Sequence, residues 1–213
     1  MTFMRTLTVL LAFSLGTVLA QSPKLVVDDQ TNAGDRALVH IRNTYDISAT
    51  AYMVGIDGKF VEVDSLLGDH DGRPLLPAQQ IQIALSGLDA GAEVRVMAAV
   101  FEDGTTEGER QPVRHILDKR QVAASDMTMA LGLLNHAIEQ KVDRPMAVSW
   151  FSQWQERYQR SHANDTSPVW RTAVKLLLKV DKGNQTLEDS ARDAIQVFKT
   201  WSEKLHESKP VLP

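Results

Sequence analysis

The sequence predicts an α+β protein, with an N-terminal antiparallel β-sandwich followed by a C-terminal helical region of about four helices. Three observations carry this. Short runs of alternating apolar and polar residues, separated by Gly, Asn, Asp and Pro clusters, fill residues 24–101. From Pro112 onward the apolar residues recur every three or four positions instead. The strongest strand signal, Glu93–Phe101, runs into Asp103-Gly104 and Gly108 just before the period changes.

Taken in order, Lys24-Leu25-Val26-Val27 opens the first strand and Asn32-Ala33-Gly34-Asp35 is a turn cluster. Ala37–Arg42 alternates, Asn43–Asp46 turns, and Ile47–Val54 alternates again with Ile47, Ala49, Ala51 and Met53 on one face. Asp57-Gly58 suits a two-residue hairpin into Lys59–Val63. Ser65–Ala78, with its glycines and prolines, is a loop, and Gln80–Leu85 is a further strand. In Glu93–Glu109, Val94, Val96, Ala98 and Val100 are expected to share a buried face, with Glu93, Arg95 and Glu102 exposed. Strands of this length and spacing suit an immunoglobulin- or fibronectin type III-like arrangement, although the Cys…Trp…Cys signature of antibody domains is missing.

In the helical half, Val113, Ile116/Leu117, Ala123/Ala124, Met127, Ala130/Leu131, Leu134 and Ala137/Ile138 mark one long helix, or two joined near Ser125-Asp126. Pro145 suits the first turn of the next helix, whose stripe is Met146, Trp150, Trp154 and Tyr158. Ser167 is a candidate N-cap for a third helix bearing Trp170, Ala173/Val174 and Leu177, with Gly183 beyond its end. Thr186–Asp189 reads as a capping box for the last, which carries Ala191, Ala194/Ile195, Phe198, Trp201 and Leu205. The expected organisation is a signal peptide over 1–20, the sandwich over 21–110, helices over 111–208 and a disordered tail over 209–213.

The N-terminal segment motivates the expected location. Arg5 supplies a positive flank, Leu7–Leu19 an apolar run too short for a membrane span, and Val18-Leu19-Ala20 a cleavage site, so export to the periplasm or beyond is expected. Of 213 residues, 43% are hydrophobic, enough for a packed core without the disulfides that the absence of Cys forbids. The formal charge is −4, and no basic cluster suits nucleic acid. No later segment is apolar enough to span a bilayer.

Candidate sites are few. All four tryptophans, Trp150, Trp154, Trp170 and Trp201, lie in the helical half and could bind a sugar or peptide, although helical spacing also suits a core role. Asp69, His70 and Asp71 before Gly72 are candidate metal ligands that lack the further donors a calcium or zinc site needs. Glu203/His206 and His136/Glu139 have metal-like spacing but point away from their apolar faces. The acidic cluster Glu102, Asp103, Glu107 and Glu109 suits a solvated turn that guards a sheet edge. No nucleophile elbow, catalytic cysteine or phosphate-binding glycine motif is present, and no cofactor is expected.

Val100-Phe101-Glu102-Asp103-Gly104-Thr105-Thr106-Glu107-Gly108-Glu109, leading into Val113–Arg120, with Ile41-Arg42-Asn43 and Ala49-Thr50-Ala51-Tyr52 upstream, resembles uncharacterised exported bacterial proteins. In these a small sandwich ends in Phe-x-Asp-Gly-x-x-x-Gly-Asp/Glu before a helix. The resemblance covers Val39–Arg120, implies a fold and a compartment, and attaches no activity to any residue. The leading expectation is a non-enzymatic exported module with a protein partner in the cell envelope or outside. The alternatives are a carbohydrate- or small-ligand-binding protein using the helical tryptophans, and a metal-dependent hydrolase around Asp69–Asp71.

Overall fold

The computed structural model describes residues 22–56, 58–68, 72–89, 92–161, 167–178 and 186–208. The expected signal peptide and tail lie outside these residues, as do Asp57, Asp69, His70, Asp71 and Gly183. In chain order the strands are β1 (Leu25–Ala33), β2 (Arg36–Asn43), β3 (Ala49–Ile56), β4 (Lys59–Asp64), β5 (Gln80–Ser86), β6 (Arg95–Phe101) and β7 (Thr106–Gly108). The helices are α1 (Arg110–Glu139), α2 (Arg144–Ser161), α3 (Pro168–Leu178) and α4 (Leu187–Glu207), with a short 3-10 turn at Ser65–Leu67 after β4. The chain is therefore of the α+β class.

Two antiparallel sheets form, one ordered β1-β2-β5 and the other β4-β3-β6-β7. One buried cluster draws on both: Ala37, Val39, Ile41, Ile83 and Leu85 from the first, and Tyr52, Val54, Val63, Ala99 and Phe101 from the second. Alternation along β2 and β5 puts their apolar residues on this inner face and leaves Leu38, Arg42, Gln82 and Ala84 exposed.

The second sheet is covered on its other face as well. Ala51, Met53, Met97, Ala98 and Val100 pack beneath Val113 and Ile116 of α1. Alanines at two of these sheet positions let the helix axis come close without a cavity, so β3 and β6 read as nearly continuous apolar runs. Here the expected face of β6 is corrected. Val94 joins the inter-sheet core with Ala99 and Phe101, and Val96 packs against it, whereas Ala98 and Val100 face α1. The cause is a bulge: Met53 pairs with Ala98 and Val54 with Val96, so Met97 is an extra residue that flips the alternation. The face expected for β3 splits in the same way, since a register shift between Ala49 and Ala51 puts Ala49 in the inter-sheet core and Ala51 under α1.

The long helix is unbroken through Ser125-Asp126. Past the sheet, its Ala123, Met127, Ala130 and Leu134 gather Phe151 and Trp154 of α2, Val169, Ala173 and Leu177 of α3, and Ala191, Ala194 and Phe198 of α4 into a second core. Local chemistry starts these helices where the sequence placed them. Asp143 accepts from the Met146 N–H ahead of α2 at 2.8 Å, and the Ser167 hydroxyl accepts from Trp170 N–H at 3.3 Å ahead of α3. Thr186 and Asp189 form the full capping box of α4.

Two outcomes follow from this local geometry. Gly108 closes β7 with φ of 104°, and a Cβ there would lie 2.8 Å from Ala98 Cα and collide with the Met97 carbonyl. Gly108→Ala should lower the unfolding free energy by about 1–3 kcal/mol in a urea titration, and wild-type stability would disprove the strain. The Thr186 hydroxyl and N–H hold the Asp189 carboxyl below the usual carboxylate range. A depressed folded value gives stability present above the unfolded pKa and lost as pH falls through the folded one. Asp189→Asn should therefore flatten the acid limb of the stability curve below about pH 4, as read by circular dichroism.

Candidate functional site

A groove runs between the outer faces of α1 and α2. Met129, Leu133 and His136 form one wall and Trp150, Gln153, Trp154 and Arg157 the other, enclosing about 430 Å³. These residues are placed by helical spacing. The stripe Ala147, Phe151, Trp154 and Tyr158 is buried, so Trp150 and Gln153 fall beside it at the solvent margin. On α1, Ala130 and Leu134 face the core, which leaves Met129 52% exposed on the groove side. The His136 ring stacks on Trp150 with centroids 5.4 Å apart, and Trp154 meets Phe151 edge-on at 5.9 Å. Trp154 is held by the core while Trp150 keeps a partly open face. Among the described residues the lining holds no aspartate or glutamate. Such a surface can bind an apolar or planar group; nothing in it is arranged as a nucleophile with a base.

The four tryptophans do not share one site. Trp150 and Trp154 are brought together at the groove. Trp170 and Trp201 pack against the helical core, where Trp201 meets Phe198 edge-on at 5.8 Å. A Cβ on Gly68 would stand 2.7 Å from the Trp201 ring, so that ring also covers the turn after β4. Trp170 and Trp201 thus lie against the helical core, away from the groove. The candidate metal ligands Asp69, His70 and Asp71 lie outside the described residues. Among the described residues no group of three or more His, Asp or Glu could hold a metal ion.

The acidic cluster is taken up by local structure. Both Glu107 carboxylate oxygens accept from the Lys24 N–H at 3.0 and 2.8 Å, pinning the start of β1 to β7. Glu109 pairs with Arg95 at 2.7 Å. Burial acts to raise Asp103, but bonds from the Thr105 hydroxyl and N–H, with Lys24 nearby, leave it below the usual range.

Sequence reasoning missed a buried polar knot where α1 crosses the sheet. Arg120, 5% exposed, donates from Nε to Asp64 Oδ2 at 2.7 Å and from Nη2 to Asp64 Oδ1 at 3.1 Å and Thr50 Oγ1 at 3.0 Å. Thr50 in turn donates to the Val100 carbonyl, and Ser65 to the Thr50 carbonyl. Burial pushes the Asp64 carboxyl above its ordinary value, opposed by the Arg120 guanidinium and the Leu66 N–H. Beside it, Glu62 on β4 takes Lys119 at 3.0 Å and His115 at 3.1 Å. The sequence does hold a signal for Arg120: it occupies the apolar stripe between Ile116 and Ala123, where a charge needs a buried partner.

Comparisons with known protein families, curated proteins and solved structures find no match.

Breaking the knot on one side should be costly. Arg120→Met takes the guanidinium away from the buried Asp64 carboxylate and should lower the unfolding free energy by about 3–5 kcal/mol. The double variant Asp64→Leu/Arg120→Met should recover more than half of that loss. A denaturant double-mutant cycle with no coupling between the two positions would contradict the assignment.

Proposed function

We propose that this chain is an exported, non-enzymatic binding protein whose α1–α2 groove takes a short segment of a protein partner. The observation that carries the reading is Trp150 and Trp154 facing Met129, Leu133 and His136 across an open groove. Tryptophan, methionine and arginine are the residues that concentrate binding energy at protein interfaces, and methionine adapts to varied apolar shapes. A helix pair with an apolar channel suits an amphipathic segment laid along it.

The rest of the chain fits a presenting scaffold. The strand order supports a fibronectin type III-like sandwich, because β4 pairs with β3 rather than joining the sheet of β1, β2 and β5 as the fourth strand of an antibody constant domain does. The sheet edges are less suited to docking. Gln30 on the edge strand β1 bonds the Ala92 carbonyl and the Val94 N–H, and so covers the approach to β6. Export rests on the N-terminal segment, and no helix among the described residues is long and apolar enough to cross a membrane.

Selection of a displayed random-peptide library on the full chain tests this. Enriched sequences should share aromatic or leucine anchors at helical spacing. Trp150→Ala should weaken them at least about tenfold, the scale of an interface anchor, while the melting temperature changes little because the ring is at the surface. Peptides that bind Trp150→Ala as well as wild type would overturn the groove. Trp150-dependent binding to a glycan array, with no peptide enriched, would replace the protein partner with a carbohydrate.

A further inference from the structure

The sheet edges are not protected alike. An edge strand offers a row of unpaired N–H and C=O groups to any other strand, so natural edges carry charges, bulges, inward-pointing acids or little length. Three of the edge strands here do so. β1 is bulged between Val27 and Asp29 and carries the acids Asp28 and Asp29. β4 begins with Lys59 and turns Glu62 and Asp64 toward the cations of α1. β7 is three residues long and ends at Gly108. β5 is the exception. Gln80-Ile81-Gln82-Ile83-Ala84-Leu85-Ser86 holds no charge, no proline and no glycine, and it pairs with β2 along its full length without a bulge. Among the described residues, no backbone hydrogen bond from outside β2 reaches Ile81–Ser86.

We propose that two copies of this chain associate through β5, antiparallel about a two-fold axis centred on Ile83. The occupant is a second copy because the exposed and covered positions of β5 follow the same pattern in both directions, as pairing across a two-fold axis requires. On the inner face Ile83 meets the partner's Ile83. Ile81, half-buried at the margin of the inter-sheet core, meets the partner's Leu85. On the outer face Gln82 meets the partner's Ala84 and Gln80 the partner's Ser86, so no like charges face each other. Arg36 and Arg42 on β2 lie beside Ser86 and Gln80. In the paired sheet Arg36 stands three strand spacings, about 14 Å, from the partner's Arg42, where salt screens the repulsion. Arg42 is in any case paired with Asp28 at 2.8 Å. The assembly closes at two: pairing uses both β5 edges and leaves β1, bulged and acidic, at each end of the joined sheet. A strand of seven residues is about 24 Å long, and a strip about 10 Å wide along it covers about 240 Å² per copy. That is less than a stable complex buries, so the dimer is weak and reversible, with a Kd on the order of 100 µM. It uses neither wall of the α1–α2 groove and does not depend on the role proposed there.

Sedimentation equilibrium of the full chain, from about 10 µM to about 1 mM so as to bracket that constant, tests the pairing. A monomer–dimer equilibrium with no larger species is expected. Gln82 and Ala84 are exposed, so substitutions there leave the core alone. Gln82→Lys/Ala84→Lys sets lysine against lysine twice across the axis and should weaken association at least about tenfold at an unchanged melting temperature. Gln82→Lys/Ala84→Glu sets each lysine against a glutamate of the partner and should dimerise at least as tightly as wild type. The contrast between the two variants is specific to this register. The proposal is overturned if wild type stays monomeric throughout, if the two variants behave alike, or if association grows beyond two copies. Association lost in Trp150→Ala but kept in Gln82→Lys/Ala84→Lys would place the contact at the groove and overturn it equally.

Discussion

The contact between Arg120 and Asp64 is the constraint on which the arrangement of this molecule turns. Apolar packing alone would let α1 slide or rotate on the second sheet, because Val113 and Ile116 rest on small and flexible residues, Ala51, Ala98, Met53 and Met97. A planar guanidinium held by both oxygens of one carboxylate has a single satisfactory geometry. It fixes the helix in register along its axis and in rotation about it. Glu62, two residues before Asp64 on β4, adds a second restraint through Lys119 and His115, which lie nearer to solvent than Arg120. Such a pair adds less net stability than its short distances suggest, since both charges lose their water. Its contribution is to make other placements of the helix worse.

Fixing α1 fixes the helical half. A helix of 30 residues is about 45 Å long, well beyond the width of a four-stranded sheet. Its first four turns lie on β3 and β6, and the remainder projects as the post around which α2, α3 and α4 pack. The transition falls between Arg120 and Met127, where the helix changes from one partner to the other. Trp201 closes the same seam from α4 by lying on Gly68, next to the turn that follows Asp64.

What was legible in the sequence follows from which interactions are local. The longer strands, the Ser167 cap and the Thr186–Asp189 box depend on neighbours within a few residues and were placed correctly apart from end positions, whereas the three-residue β7 was read as part of a turn because its pairing with β6 is what makes it a strand. The alternation of β6 was legible as a strand but not as a face, because one inserted residue at Met97 exchanges inside and outside and leaves no mark in composition. The tryptophans showed their helical face but not their depth. Trp150 and Trp154 belong to one expected stripe, yet the buried stripe runs through Ala147, Phe151, Trp154 and Tyr158 and leaves Trp150 half-buried beside it. Arg120 was the readable feature that went unread, a cation in a run of buried helix positions whose partner lies 56 residues away.

The same reasoning separates the two ends of α1. The groove at Trp150 depends on residues that packing left over, Met129 and Trp150, each one position away from a buried neighbour, Ala130 and Phe151. Its shape is set by the α1–α2 contact and tolerates change in the sheets. The buried pair of Arg120 and Asp64 is the opposite case, because its geometry cannot vary without moving α1. A surface that can adapt suits a partner segment of variable sequence. The helix thus carries an adaptable face at its far end and a rigid one where it is anchored, and the difference follows from how far each lies from the buried pair.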